Sequence, residues 1–330
     1  MNTMKKHFHM LLALAVVLAM PLTMQSGSLA SEVLIFGLAA MGCNLLLGHT
    51  GLLSFGQGIF FGLGSYTIAL TLTRWPLPMP LALALAVAMG ALGAALVGWI
   101  AIRQRGTYFV MLTLAFAQMF YFLAYSFSGL TGGDNGLMDI PRPALAVAGL
   151  TLWPLASPWQ YYGFVAVVFL GAFWLLQKVS GSVFGRTLLA VRDNEERAGA
   201  IGYNLRLLKL QAFVISGAVT GLAGALHAMM TGIAPLSNAE YHTSEMILVM
   251  TVIGGTGNLL ASLLGSAFYV LLGDWLSTLW PRWLLLLGVV LMVVSLGMQR
   301  GLWGVGETLW GLVRRKAPQP GVPAAQGEKA

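Results

Sequence analysis

Apolar residues in this chain fall in long runs separated by short polar gaps. The hydrocarbon core of a bilayer takes about 20 consecutive apolar residues per helix. Ten runs read as candidate spans: 8–24, 33–48, 52–73, 80–102, 108–127, 160–178, 210–233, 245–256, 258–277 and 280–298. The run 144–156, bracketed by Pro143 and Pro154, is too short to cross and reads as an external re-entrant or interfacial piece. Spans 33–48 and 245–256 are also short. Each runs into a Gly-x-Thr-Gly break, Gly48-His49-Thr50-Gly51 and Gly254-Gly255-Thr256-Gly257. The pattern predicts an all-α polytopic membrane protein with a transmembrane domain over 1–317. The Pro/Gly-rich stretch after Lys316 makes 318–330 a disordered tail.

Composition removes the soluble alternative. Of 330 residues, 58% are hydrophobic and 9% charged, and the mean hydropathy is +0.80. A soluble domain carries about a quarter charged residues, so the exterior of this chain must face lipid. The 41 glycines, many inside apolar runs, let helix backbones approach one another. The single Cys43 excludes an intrachain disulfide and any multi-cysteine metal site. Lys5, Lys6, the apolar run Phe8–Met20 and the small residues Ser28-Leu29-Ala30 mimic a cleavable secretory signal. With so many spans following, a retained first helix is the preferred reading.

The net charge of +7 suggests nucleic acid at first sight, but the basic residues sit in the gaps between spans, as topology signals do. With the N-terminus inside, fifteen Lys and Arg fall on the cytoplasmic side, and only Arg74, Arg142 and Arg282 fall outside. Both termini are then cytoplasmic, as an even number of spans requires. Glu32, Asp134, Asp139, Glu240, Glu245 and Asp274 make the outer side mildly acidic.

The longest cytoplasmic segment, 179–209, is the one stretch dense in charge of both signs. Within it, Gly185-Arg186 opens a helical pattern in which Leu188, Val191 and Ala198 can line one side. Arg192, Asn194, Glu195, Glu196 and Arg197 are polar, and Gly202 can stop the helix. In span 210–233, Ser216, Thr220, His227 and Thr231 fall on one face at 3.6 residues per turn. Such residues line a pathway or bond their own helices; both readings stand. Ser54, Gly58, Gly62 and Ser65 form a small-residue stripe beside Gln57. A buried amide in lipid must find a partner, so Gln57 either ties helices or faces the path. No phosphate-binding loop, zinc-protease or serine-hydrolase motif is present. The chain reads as no enzyme, and any ATP that drives it is hydrolysed elsewhere.

The spacing Glu196-x-Ala198-x-x-x-Gly202 resembles the coupling motif of ABC importer permeases, a short cytoplasmic helix that docks in a cleft of the ATPase subunit. Asn44-Leu-Leu-Leu-Gly48-His-Thr-Gly51-Leu-Leu-Ser54-Phe-Gly56-Gln57-Gly58-Ile-Phe-Phe-Gly62-Leu-Gly64-Ser-Tyr66 resembles the signature of the branched-chain amino-acid ABC transporter permease family, the LivM-type inner-membrane subunit. So do Thr113-Leu-Ala115 with Gln118, Thr131-Gly-Gly-Asp134-Asn-Gly136-Leu and Ile140-Pro-Arg-Pro143, and the likeness covers roughly 33–305. Gln57 stands where many members have His, and Phe55 where Leu is frequent.

The resemblance implies about ten transmembrane helices in two pseudo-symmetric halves, a type II-like importer permease. It also implies a second homologous permease, two ATP-binding subunits that hold ATP and Mg, and a periplasmic solute-binding protein. The solute would be a branched-chain or other small amino acid, or a related polar solute such as urea or an amide. On this reading Gly185, Arg186, Arg192, Asn194, Glu195, Glu196, Ala198 and Gly202 couple to the ATPase. Asn44, Ser54, Gln57, Ser216, Thr220 and His227 are pathway candidates, and Asp134, Asn135 and Glu240 dock the binding protein. An ion-coupled secondary transporter is the alternative, although such carriers usually need intramembrane acids and the carboxylates here sit at membrane edges and in the 193–196 loop.

Overall fold

The computed structural model describes residues 2–24, 26–75, 77–143, 145–147, 150–153, 155, 157–297 and 301–304. The tail 318–330 and the basic residues Arg300, Arg314, Arg315, Lys316 and Lys329 lie outside these residues. Each of the ten apolar runs coincides with a helix: α1 (Asn2–Thr23), α2 (Gly27–Thr50), α3 (Gln57–Thr73), α4 (Met79–Ala101) and α5 (Thr107–Ser126) in the first half. After a single turn, α6 (Ser128–Thr131), come α7 (Pro158–Ser180), α8 (Val183–Asp193), α9 (Glu195–Ala200), α10 (Leu205–Thr231), α11 (Tyr241–Gly254), α12 (Leu259–Leu279) and α13 (Trp283–Gly297). Among the described residues, α2, α4, α5, α7, α10 and α12 are long and apolar enough to cross a membrane.

The expectation of a purely helical chain needs one correction. Part of the run 144–156 forms a two-stranded antiparallel sheet, β1 (Leu145–Val147) with β2 (Leu150–Trp153), in which Val147 pairs with Leu150. A stretch too short to cross and fenced by prolines satisfies its backbone by pairing with itself.

The helices sort by burial. The spanning stretch of α2 is 89% buried, against 61% for α10 and 22% for α5. Helix α2 is therefore the hub, packed by α7, α10, α11 and α12, while α4 and α5 turn Leu92, Leu96, Trp99, Met111 and Phe122 outward. In a bilayer that outward apolar surface carries no penalty, because the surrounding solvent is hydrocarbon. Helices α3 and α10 make the closest approach. A Cβ on Gly64 would run into the carbonyl of Gly221, and one on Gly224 into that of Phe61, so only glycine fits at that crossing.

Helix ends gather into two groups. At one end, His49 meets Ser180 at 2.6 Å, Arg105 meets Glu195 at 3.6 Å, and the ring of His9 lies 5.9 Å from that of Trp303. At the other, the Arg74 Nη2 donates to the Gly129 carbonyl at 2.6 Å, Leu137 bridges Ala234, and Arg142 Nε donates to the Met229 carbonyl at 2.8 Å. The first group joins segments that carry the predicted cytoplasmic charges, and the second joins those predicted outside.

Two predicted boundaries shift. Span 52–73 begins instead at Gln57, and residues 51–56 form a loop. Gly51 (φ 72°) ends α2 in the left-handed region, the Ser54 hydroxyl accepts from Gly56 N at 3.1 Å, and Phe55 N donates to the Thr113 hydroxyl at 3.2 Å. The second break covers 255–258, where Gly255 (φ 118°) and Gly257 (φ 98°) separate α11 from α12.

Candidate functional site

The predicted polar residues of α3 and α10 come together. Gln57, in the first turn of α3, donates from Nε2 to the Ser216 hydroxyl at 3.0 Å and accepts at Oε1 from the Thr220 hydroxyl at 2.7 Å. All three are fully buried. Gly42 of α2 closes the cluster, since a Cβ there would lie 3.0 Å from both the Ser216 carbonyl and the Thr220 hydroxyl. Gln57 thus ties α3 to α10 through both ends of its amide. One residue on, Gly58 N donates to the Ser244 hydroxyl at 2.7 Å. Ser244 thus occupies one of the amide groups that a helix start leaves without an intrahelical partner.

His227 lies two turns further along α10, between the rings of Phe36 (5.6 Å) and Phe61 (5.4 Å). Its Nδ1 is buried with no hydrogen-bond partner. Thr231 bonds back to its own helix at the His227 carbonyl, 3.0 Å away. The stripe read from the sequence therefore divides into a satisfied pair, an imidazole with an unpartnered Nδ1 and a self-bonded hydroxyl.

Asn44 sits at the α11–α12 break. Its amide donates to the Asn258 carbonyl (2.9 Å), the Ser262 hydroxyl (2.8 Å) and the Gly255 carbonyl (3.3 Å), and its Oδ1 accepts from Gly257 N (2.9 Å). One fully buried side chain thus closes the α11–α12 break with every polar atom engaged. The two Gly-x-Thr-Gly breaks touch: a Cβ on Gly48 would lie 2.6 Å from Gly257 N. Ser54 likewise serves the local turn already described. Neither Asn258 nor Ser262 stood out before the fold was known, although an Asn directly before an apolar run is a helix-start signal, and Asn258 does accept from Leu260 N at 3.1 Å.

The charged segment 179–209 folds as α8, a break at Asn194, α9 and a turn. Gly185 sits where a Cβ would strike the Ser180 carbonyl, which makes it a requirement of the α7–α8 corner. Arg186 is exposed. Asn194 caps α9, its Oδ1 accepting from Arg197 N at 2.8 Å. Gly202 has φ 98°, as a helix stop of this kind requires.

Three residues of the coupling set are engaged within the chain. Arg192 Nη1 donates to the Gly48 carbonyl, and its Cγ would lie 3.4 Å from a Cβ on Gly51. Glu195 pairs with Lys209 at 2.8 Å and with Arg105 at 3.6 Å. Ala198 is 4% exposed, with its carbonyl accepting from Tyr203 N at 3.4 Å. Its side chain is therefore covered within the chain rather than presented on an open face. The open face carries Glu196, Arg197, Ile201 and Tyr203 instead.

At the opposite end Asp134 and Asn135 are exposed on a 3-10 turn, Gly133–Asn135. Glu240 is half-buried at the start of α11. Among the described residues no three of His, Cys, Asp and Glu come together as a metal ion would require.

Comparison with known proteins places these features. The chain is 26% identical to the high-affinity branched-chain amino acid transport system permease protein LivM of Escherichia coli (strain K12), over 91% of this chain and 76% of that protein. It is 26% identical to the autoinducer 2 import system permease protein LsrC of Klebsiella pneumoniae, over 62% of this chain and 60% of LsrC. No solved structure matches it. The family described as branched-chain amino acid transport system / permease component matches residues 25–296. It spans the hub helix, both glycine breaks and the charged segment, and the chain belongs to that family of transport permeases.

Proposed function

We propose that this chain is the permease of an ATP-driven importer for a branched-chain or other small amino acid, or a related polar solute such as urea or an amide. It crosses the inner membrane ten times in two pseudo-symmetric halves, with both termini in the cytoplasm. A second permease, two ATP-binding subunits and a periplasmic binding protein complete the assembly. The observation that carries this reading is the Arg192 guanidinium on the Gly48 carbonyl. It ties the end of α8 to the point where the α2–α3 and α11–α12 breaks touch. Motion imposed on α8 and α9 by an ATPase then reaches both breaks directly. The exposed face of Glu196, Arg197, Ile201 and Tyr203 is the docking surface for that subunit, and Asp134, Asn135 and Glu240 face the binding protein.

Arg192→Gln tests the link. In reconstituted complex, the variant is expected to keep the ATP-binding subunits but to lose solute-stimulated hydrolysis and at least tenfold of uptake. Uptake at the unsubstituted rate would remove Arg192 from the coupling route.

A further inference from the structure

We propose that the chain carries a binding site for an anionic phospholipid at the seam between α4 and α10. A cavity of about 300 Å³ opens there, walled by Arg103, Arg105, Arg206 and Lys209 against the one carboxylate of Glu195. Lys209 and Arg105 spend part of their charge on Glu195. Arg103 lies 4.8 Å over the Trp99 ring, and among the described residues neither Arg103 nor Arg206 meets a carboxylate. The amino end of α10, 27 residues long with Asn204 as its cap, adds its positive helix pole to the same mouth.

A second cavity of about 270 Å³ shares Ile102, Arg103, Asn204 and Arg206 with the first and continues onto Gly98, Trp99, Leu207 and Leu210. The wall it adds beyond the shared residues is apolar and opens outward, with Trp99 63% and Leu207 50% exposed. A basic mouth that runs on into an apolar groove on the outer flank of a membrane helix matches a phosphate headgroup with an acyl chain behind it. A carboxylate of a protein partner would use the mouth and leave the groove empty. Basic pockets at the membrane surface between spanning helices suit anionic headgroups, and an exposed Trp belongs at that depth. The inference needs only that the chain sits in a membrane. It holds or fails separately from the solute and from the energy source.

The test is lipid retention by the full-length chain in mild detergent, read by native mass spectrometry in mixtures of dioleoyl phosphatidylglycerol and dioleoyl phosphatidylcholine. The unsubstituted chain should retain phosphatidylglycerol with at least a tenfold preference. Arg103→Gln with Arg206→Gln, which leaves the Glu195–Lys209 pair in place, should cut the preference to within about twofold. Trp99→Ala should weaken retention of the dioleoyl lipid but not of its dihexanoyl analogue. Equal retention of the two lipids by the unsubstituted chain would overturn the proposal, as would a preference unchanged in the double variant. Displacement by millimolar inorganic phosphate would make the site one for a free anion. Loss of a copurifying ATP-binding subunit with lipid preference intact would make it a protein interface.

Discussion

At the residue scale, two polar side chains, Gln57 of α3 and His227 of α10, differ in what they hold. Replacing Gln57 by Leu strands the Ser216 and Thr220 hydroxyls in a fully buried site, at a cost of about 1–3 kcal/mol. Gln57→Leu should therefore lower the amount of folded protein in the membrane along with uptake, as thermal unfolding of the purified chain would record. His227 breaks no bond at Nδ1 when it is removed, and an apolar side chain suits the space between Phe36 and Phe61. His227→Leu should leave membrane level and melting temperature unchanged. A fall in uptake would then report on the pathway itself, and normal uptake would take His227 out of it. The sequence marked Ser216, Thr220 and His227 as one face. It could not separate them, because a helical wheel shows which residues share a side and not what stands opposite.

At the element scale, the contrast between α8 and α9 carries the argument. Arg192, Glu195 and Ala198 are engaged within the chain, and Ile201, 72% exposed, stands on the open turn after α9. Ile201→Asp should leave the chain folded and inserted while ATPase copurification drops at least several-fold. An unchanged yield of complex would show that this turn is only a solvated connector. Gly202→Val forces a β-branched residue to φ 98°, at about 1–3 kcal/mol of local strain, although a Cβ there meets no atom within 4 Å. Its effect should appear as a local loosening of α9, faster amide exchange over 195–203 without global unfolding. Asn44→Ala would open the α11–α12 break by removing four hydrogen bonds, and exchange there should rise at 255–260.

For the whole molecule, the two groups of helix ends give the charge-based topology a physical counterpart. Contacts such as Arg105 with Glu195, and Arg74 with Gly129, join loops far apart in sequence into opposite ends of one bundle. In a Cys43→Ser background, Asn135→Cys should be labelled by an impermeant thiol reagent in intact cells. Asn194→Cys should be labelled only after lysis. Labelling of Asn194→Cys from outside would invert the map. Both positions are exposed, so accessibility and not burial decides the result.

The sequence by itself determined the class and the order of elements. Apolar runs of spanning length, charge confined to the gaps and glycines at the breaks act locally, through the cost of placing polar backbone in lipid, and that cost is written residue by residue. The apolar runs coincide with helices for this reason, six of them long and apolar enough to cross a membrane among the described residues, and Gly202 could be read as a helix stop because only its own backbone was involved. What the tertiary structure alone decided is which polar groups meet. Asn44 finds Asn258 and Ser262, Gln57 finds Ser216 and Thr220, and Arg192 reaches back to Gly48. Each pairing crosses more than 140 residues and depends on helix rotation and tilt, set by side-chain volume across the interfaces. The same limit explains Ala198: its size was legible in the sequence, and the surface that uses it was not.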